Sequence, residues 1–144
     1  MKPVREGGCL CGAVRFRAHG DPSRTVVCHC RFCQRATGSA FALWPTYAPP
    51  DVQISGMLST YEHRSDESGR WIRLDFCPRC GTTVSSTFEK GPGEIAILGG
   101  TFDDPSWIRV HRQVWTRSAP HWSPVPKGIE SFERSSSDPG RTPR

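Results

Sequence analysis

Trp71-Ile72-Arg73-Leu74-Asp75-Phe76-Cys77-Pro78-Arg79-Cys80-Gly81-Thr82 is the stretch whose reading decides the fold. Its first six residues alternate, with Ile72, Leu74 and Phe76 on one face and Arg73 and Asp75 on the other, which is the period of a half-buried strand. The strand runs straight into a CxxC pair shaped by Pro78 and followed by Gly81. This is the form of a zinc knuckle, in which two thiolates take two corners of a tetrahedron. Two corners remain, so a second pair has to come from elsewhere in the chain.

The other cysteines fall as Cys9-x-Cys11 and Cys28-x-Cys30-x-x-Cys33, giving seven in 144 residues. A disulfide framework would leave one over, whereas a division into four and three uses them all. The segment from Met1 to Cys9 lacks the apolar core of a secretory signal, so the expected compartment is the cytoplasm, where thiols stay reduced and cluster on metal instead. Two partitions satisfy the count. Cys77 and Cys80 either join Cys9 and Cys11, or join a pair from the central triplet. The first is favoured because it makes one saturated four-thiolate site and leaves Cys28, Cys30 and Cys33 with a fourth corner for water or substrate, as in catalytic zinc sites. Set against this, the triplet could be a second structural site completed by His29, His63 or His111, or Cys30 and Cys33 could be a redox pair.

The alternating period returns in Gly12 to Ala18, with Val14 and Phe16 on one face, and in Arg109 to Trp115, where Val110, Arg112 and Val114 share one. Further strands are expected at Thr25 to Cys28, Ser39 to Trp44, Gly56 to Glu62, Thr82 to Thr87 and Glu94 to Gly99, separated by Gly, Pro and Asp turns. Helix is expected only as one turn through Phe32 to Ala36, stopped at Thr37-Gly38, and one near Gly128 to Glu133. The fold is therefore read as mainly β, small and zinc-stapled, with very little helix. At 35% hydrophobic residues the composition supports one modest core, so residues 3–134 are expected to form a single domain. Residues 135–144 hold no large apolar side chain and are expected to be a disordered tail. No stretch approaches the roughly 20 apolar residues of a membrane span. The net charge of +5 is spread over scattered arginines rather than a patch, which argues against a nucleic-acid partner.

Four segments resemble the glutathione-dependent formaldehyde-activating enzymes and their centromere protein V relatives. They are Gly8 to Phe16, Cys28 to Phe41, Phe76 to Thr82 and Gly99 to Pro105, in the family's order. The resemblance implies a β-tent fold, a structural zinc on Cys9, Cys11, Cys77 and Cys80, and a catalytic zinc on Cys28, Cys30 and Cys33, two ions per chain. It also implies a carbon-sulfur lyase that joins glutathione and formaldehyde reversibly into S-hydroxymethylglutathione. A non-catalytic two-zinc scaffold is the alternative. The sequence departs from the family at Trp107-Ile108-Arg109, where a proline-containing run is expected.

Around the triplet, Arg31 and Arg35 are candidates for substrate carboxylates and Thr37 for a substrate hydrogen bond, although solvation and capping account for such residues equally well. Phe41 and Trp44 are read as core before pocket. His29 should point away from the metal. His111 is a candidate proton shuttle, against the plainer role of a structural histidine. Asp103-Asp104-Pro105 reads as a turn.

Overall fold

The computed structural model describes residues 1–66 and 68–136. Among them are eleven strands and one α-helix. In chain order these are β1 (Val4–Gly8), β2 (Arg15–His19), β3 (Arg24–Cys28), α1 (Arg31–Thr37), β4 (Ala42–Tyr47), β5 (Val52–Ser55), β6 (Ser59–Arg64), β7 (Trp71–Phe76), β8 (Thr83–Phe88), β9 (Ile95–Ile97), β10 (Arg112–Val114) and β11 (Glu130–Ser131). The protein is mainly β, as the alternating sequence requires. Of the expected tail, residues 137–144 lie outside the described residues.

The chain divides into two compact units, each assembled from two separate segments. The first takes Met1–Ser23 and Pro45–Trp107; the second takes Arg24–Trp44 and continues from Ile108. In the first unit β1, β2 and β5 form an antiparallel sheet with β2 in the middle. Val14, Phe16 and Ala18 are at most 1% exposed, which is the inward face that the alternation specified. The Phe16 ring meets Phe102 edge-on at 5.0 Å, and Phe102 meets Trp107 in the same way at 5.1 Å. Burying a ring such as Phe16 contributes about 2 kcal/mol, and truncating it to alanine would cost about 3–5 kcal/mol once the cavity is counted. The second sheet of this unit orders β9, β8, β7 and β6 antiparallel, with the end of β4 paired to β9. The β7 strand coincides with the six residues read from the sequence.

The second unit is built around β10, which lies parallel between β3 and β11. Two expectations are corrected here. Gly128 to Glu133 is not a helical turn; it contains β11, whose backbone is drawn into pairing with β10. On β10 the buried residue is not one of the shared Val110, Arg112 and Val114 face but Gln113, at 1% exposure. A glutamine tolerates that position because every polar atom of its amide has a partner. The expected turn at Phe32 to Ala36 is α1, closed by Gly38 in the left-handed conformation at φ 67.

Candidate metal centres

Each cysteine pair of the first unit is held by the same local device. In Cys9-Leu10-Cys11-Gly12 the Gly12 N–H donates to the Cys9 carbonyl at 3.1 Å, and in Cys77-Pro78-Arg79-Cys80-Gly81 the Gly81 N–H donates to the Cys77 carbonyl at 2.8 Å. Both glycines have φ near +80, a region costly for any residue with a Cβ. Each glycine therefore turns the chain back on itself and leaves two sulfurs facing the same way. Cys9 and Cys77 are buried, Cys80 is half-buried and Cys11 is exposed.

The four sulfurs Cys9, Cys11, Cys77 and Cys80 lie within 4.8 Å of one another. The Cys9 to Cys11 separation is 3.6 Å and the Cys11 to Cys77 separation 3.8 Å. A zinc tetrahedron with Zn–S bonds of about 2.3 Å has edges of about 3.8 Å, so the donor set fits a tetrahedral metal. Backbone and hydroxyl donors aim at these sulfurs. The Val14 N–H donates to Cys9 Sγ at 3.2 Å. Thr82 Oγ1 accepts from the Leu10 N–H at 3.1 Å and donates to Cys80 Sγ at 3.2 Å. The Thr82 hydroxyl, helped by the Thr82 and Cys11 amides, pushes the Cys80 thiol down to about 5, which favours its thiolate form. Thr82, absent from the candidate ligands because it binds no metal itself, is recognisable only by its place two residues after Cys80.

The sulfurs of Cys28, Cys30 and Cys33 also lie within 4.8 Å of one another, in the second unit. Cys28 ends β3, Cys30 is the N-cap of α1, and Cys33 sits in its first turn with 5% exposure. Cys30 Sγ accepts the Cys33 N–H at 3.3 Å, a bond usually made by a serine or aspartate oxygen. As free sulfurs the three share charge unequally. Hydrogen bonds from the Cys28 and Cys33 thiols, with the Cys33 and Phe32 amides, bring Cys30 down to about 3. The same contact with Cys30 raises Cys28, while Cys28, Cys30 and burial together raise Cys33 well above the ordinary thiol range. Three thiolates fill three corners of a tetrahedron and leave one for a small ligand. Both cysteine sets could hold a metal ion.

None of the three candidate histidines joins a cluster of possible metal ligands among the described residues. His29, between two of the sulfurs, is fully buried; its Nε2 pairs with Gln113 Oε1 at 2.9 Å, and its ring meets Phe41 edge-on at 5.9 Å. His111 is exposed, and its Nδ1 accepts the Thr25 N–H at 2.8 Å while its own N–H donates to the Thr25 carbonyl. It pins the β10 approach to β3, the plainer of its two roles. His63 lies on β6 of the first unit, 6.3 Å from the Tyr61 ring.

Among the candidate substrate residues, Arg31 and Arg35 are exposed on α1, with Arg31 Nη1 donating to Gln34 Oε1. Thr37 turns inward: its hydroxyl donates to the Cys33 carbonyl at 2.8 Å and accepts the Ser39 N–H at 3.1 Å. Trp44 is core at 5% exposure. Asp103 is paired with Arg15 and Asp104 accepts the Ser106 N–H at 2.9 Å; the chain bends at Asp103, and the turn itself falls at 106–107, just after the expected residues. Trp107 lies under the Arg5 guanidinium at 3.9 Å. Sequence reasoning passed over Gln34 and Gln113, whose amides are buried around the triplet. Nothing in a lone glutamine signals this.

A helix long and apolar enough to cross a membrane is not found among the described residues. In comparisons with known proteins, an uncharacterised lyase of Schizosaccharomyces pombe is 28% identical over 112 residues, 78% of this chain and 78% of the relative. A crystal structure of a Rhodobacter sphaeroides protein superposes with a TM-score of 0.51 at 20% identity, over 68% of this chain and 87% of that one, a likeness of fold. The model of the glutathione-dependent formaldehyde-activating enzymes matches residues 4–118, a span holding both cysteine sets. The chain belongs to the glutathione-dependent formaldehyde-activating enzyme family.

Proposed function

We propose that this protein is a zinc-dependent carbon-sulfur lyase acting on the adduct of a small thiol, such as glutathione, with an aldehyde such as formaldehyde. The observation that carries the reading is the inequality of the two sulfur sets, four ligand atoms in one unit and three in the other. Cys9, Cys11, Cys77 and Cys80 are assigned a structural zinc, saturated by its own ligands. Cys28, Cys30 and Cys33 are assigned the catalytic one, with a corner left for the substrate. Zinc bound there would supply a soft Lewis acid that lowers the pKa of a substrate thiol or polarises a carbonyl.

The chain's own residues set up that exchange. Three thiolate ligands place net negative charge on the site, which suits soft sulfur better than three neutral imidazoles would. In the joining direction the thiol gives up its proton and its sulfur lone pair forms the carbon-sulfur bond. The carbonyl π pair moves to oxygen, which takes a proton. In the cleaving direction each step reverses. Protons and electrons balance, and no redox partner is required. Arg31, between Cys30 and Cys33, and Arg35, just after the triplet, stand exposed on α1, where their guanidiniums suit the carboxylates of glutathione. Free thiols in this number suit a reducing compartment such as the cytoplasm.

The test is metal content by elemental analysis on chain purified without chelator, beside Cys30→Ser. Serine is a strong N-cap, so this variant keeps α1 capped while removing one thiolate. The expected result is two zincs in the natural chain and one in a folded variant, with exchange of ¹³C-formaldehyde into glutathione adduct reduced to the uncatalysed rate. A natural chain holding one zinc, or a variant that exchanges at full rate, would sink the reading.

A further inference from the structure

Three hydrogen bonds fix His29, the residue between two sulfurs of the triplet. Its N–H donates to the Val114 carbonyl at 3.1 Å, its carbonyl accepts Gln34 Nε2 at 2.8 Å, and its ring Nε2 meets Gln113 Oε1 at 2.9 Å. The direction of the last bond follows from the rest of the network. Gln113 Nε2 donates to the Pro126 carbonyl at 2.7 Å and to Ser131 Oγ at 2.8 Å, and the Ser131 hydroxyl donates onward to the Ile129 carbonyl at 3.0 Å. A carbonyl only accepts, so the amide group is fixed with its nitrogen toward 126–131 and its oxygen toward His29. His29 must then carry its proton on Nε2. The other ring nitrogen, Nδ1, is buried without a hydrogen-bond partner among the described residues.

The anchoring groups Pro126, Ile129 and Ser131 lie beyond residues 4–118, where the family model matches. The same segment is zipped along β10 and the turn after it. Phe132 N–H donates to the Gln113 carbonyl, Thr116 N–H to the Phe132 carbonyl, Arg117 N–H to the Glu133 carbonyl and Trp115 N–H to the Arg134 carbonyl. Trp115, at φ 59, is the one non-glycine in the left-handed region among the described residues. A tryptophan reaches that conformation only where its surroundings impose it.

We infer that Gln113 is a positioning residue for the Cys28-His29-Cys30 turn, and that the strap at 126–134 sets how tightly that turn holds its metal by fixing the Gln113 amide. The inference rests on the zinc reading above. It assigns the strap, outside the family match, a part in the site.

The test measures zinc affinity of the full chain by competition with a chromophoric chelator, and the visible spectrum of the cobalt(II)-substituted protein. The variants are Gln113→Met, of similar length without the amide, and Ser131→Ala, which removes the hydroxyl that accepts from Gln113 and donates to the Ile129 carbonyl. Losing a partner hydrogen-bonded to a metal ligand typically costs about 10–100-fold in affinity, and Gln113 acts one residue further out, through His29, so the low end of that range applies. Gln113→Met is expected to weaken the second metal about tenfold or more and shift its cobalt spectrum, while the first metal is held as before. Ser131→Ala is expected to move both readouts the same way by a smaller factor. If both variants keep the natural affinity and cobalt spectrum, Gln113 is only a core residue and the inference is overturned. Should Gln113→Met fail to fold, unchanged values in Ser131→Ala overturn it equally. A natural chain that takes up one metal only would overturn the zinc reading itself, and this inference with it.

Discussion

The two cysteine sets differ most in the length of chain they close. Cys11 and Cys77 are 66 residues apart and their sulfurs are 3.8 Å apart, so a metal there ties the β1–β2 edge of the first unit to the turn after β7. Cys28, Cys30 and Cys33 span six consecutive residues at the junction of β3 and α1, and closing them restricts little beyond their own turn. Loop-closure entropy grows with the length enclosed. On the reading proposed above, a metal at the long-range set would act on the fold, whereas one at the local set would be left for chemistry. In both sets the sulfurs lie within 4.8 Å of one another, so the proposed division of roles rests on the number and span of the cysteines.

The comparison breaks most sharply at Cys77, which is 1% exposed. Cys77→Ser is expected to lose the four-sulfur metal and cost more than about 4 kcal/mol, in the range seen when a structural metal is lost. Chemical denaturation of the zinc-loaded chain beside Cys30→Ser checks this, and equal losses in the two variants would erase the distinction. The next effect is in pH. With Cys30 at about 3 but Cys28 and Cys33 raised, metal uptake by the triplet near neutral pH must expel protons from Cys28 and Cys33. Affinity at that site therefore rises with pH, by about a hundredfold per unit for two protons. Calorimetry in buffers of different ionisation enthalpy counts the protons, and a pH-independent affinity would contradict the charge distribution described. The smallest effect is at Thr37, whose hydroxyl bonds link the body of α1 to Ser39 just beyond it. Thr37→Val should lose about 1 kcal/mol in urea unfolding; undiminished stability with a raised KM would return Thr37 to the substrate.

The local pattern accounts for what the sequence made legible. Alternation in Gly12 to Ala18 and Trp71 to Phe76 announces β2 and β7, and Thr37-Gly38 marks the end of α1, because each signal is complete within a few residues. The three cysteine groups were equally plain. By contrast, β1 is Val4-Arg5-Glu6-Gly7-Gly8, with one large apolar residue, and it becomes a strand only through its register with β2. The two residues of β11 are strand because β10 lies beside them, and nothing local separates them from a helical turn. Gln113 and Gln34 escaped for a related reason. Their importance lies in partners 84 residues away in sequence, His29 for the one and Ser118 for the other, and an isolated amide carries no period from which to infer burial.

The parallel pairing of β3 with β10 also bears on how the protein is made. Val26, Val27 and Cys28 pair with Arg112, Gln113 and Val114, so β3 waits for a partner some 86 residues further along the nascent chain. At translation speeds of about 5–20 residues per second, that delay is roughly 4–17 s. Through it the three neighbouring thiols have left the ribosome before β10 can dock beside Cys28. An early metal could occupy the turn in that interval, and an oxidant could equally join two of its sulfurs. The order of synthesis thus leaves these thiols without the β10 side of their site for that interval.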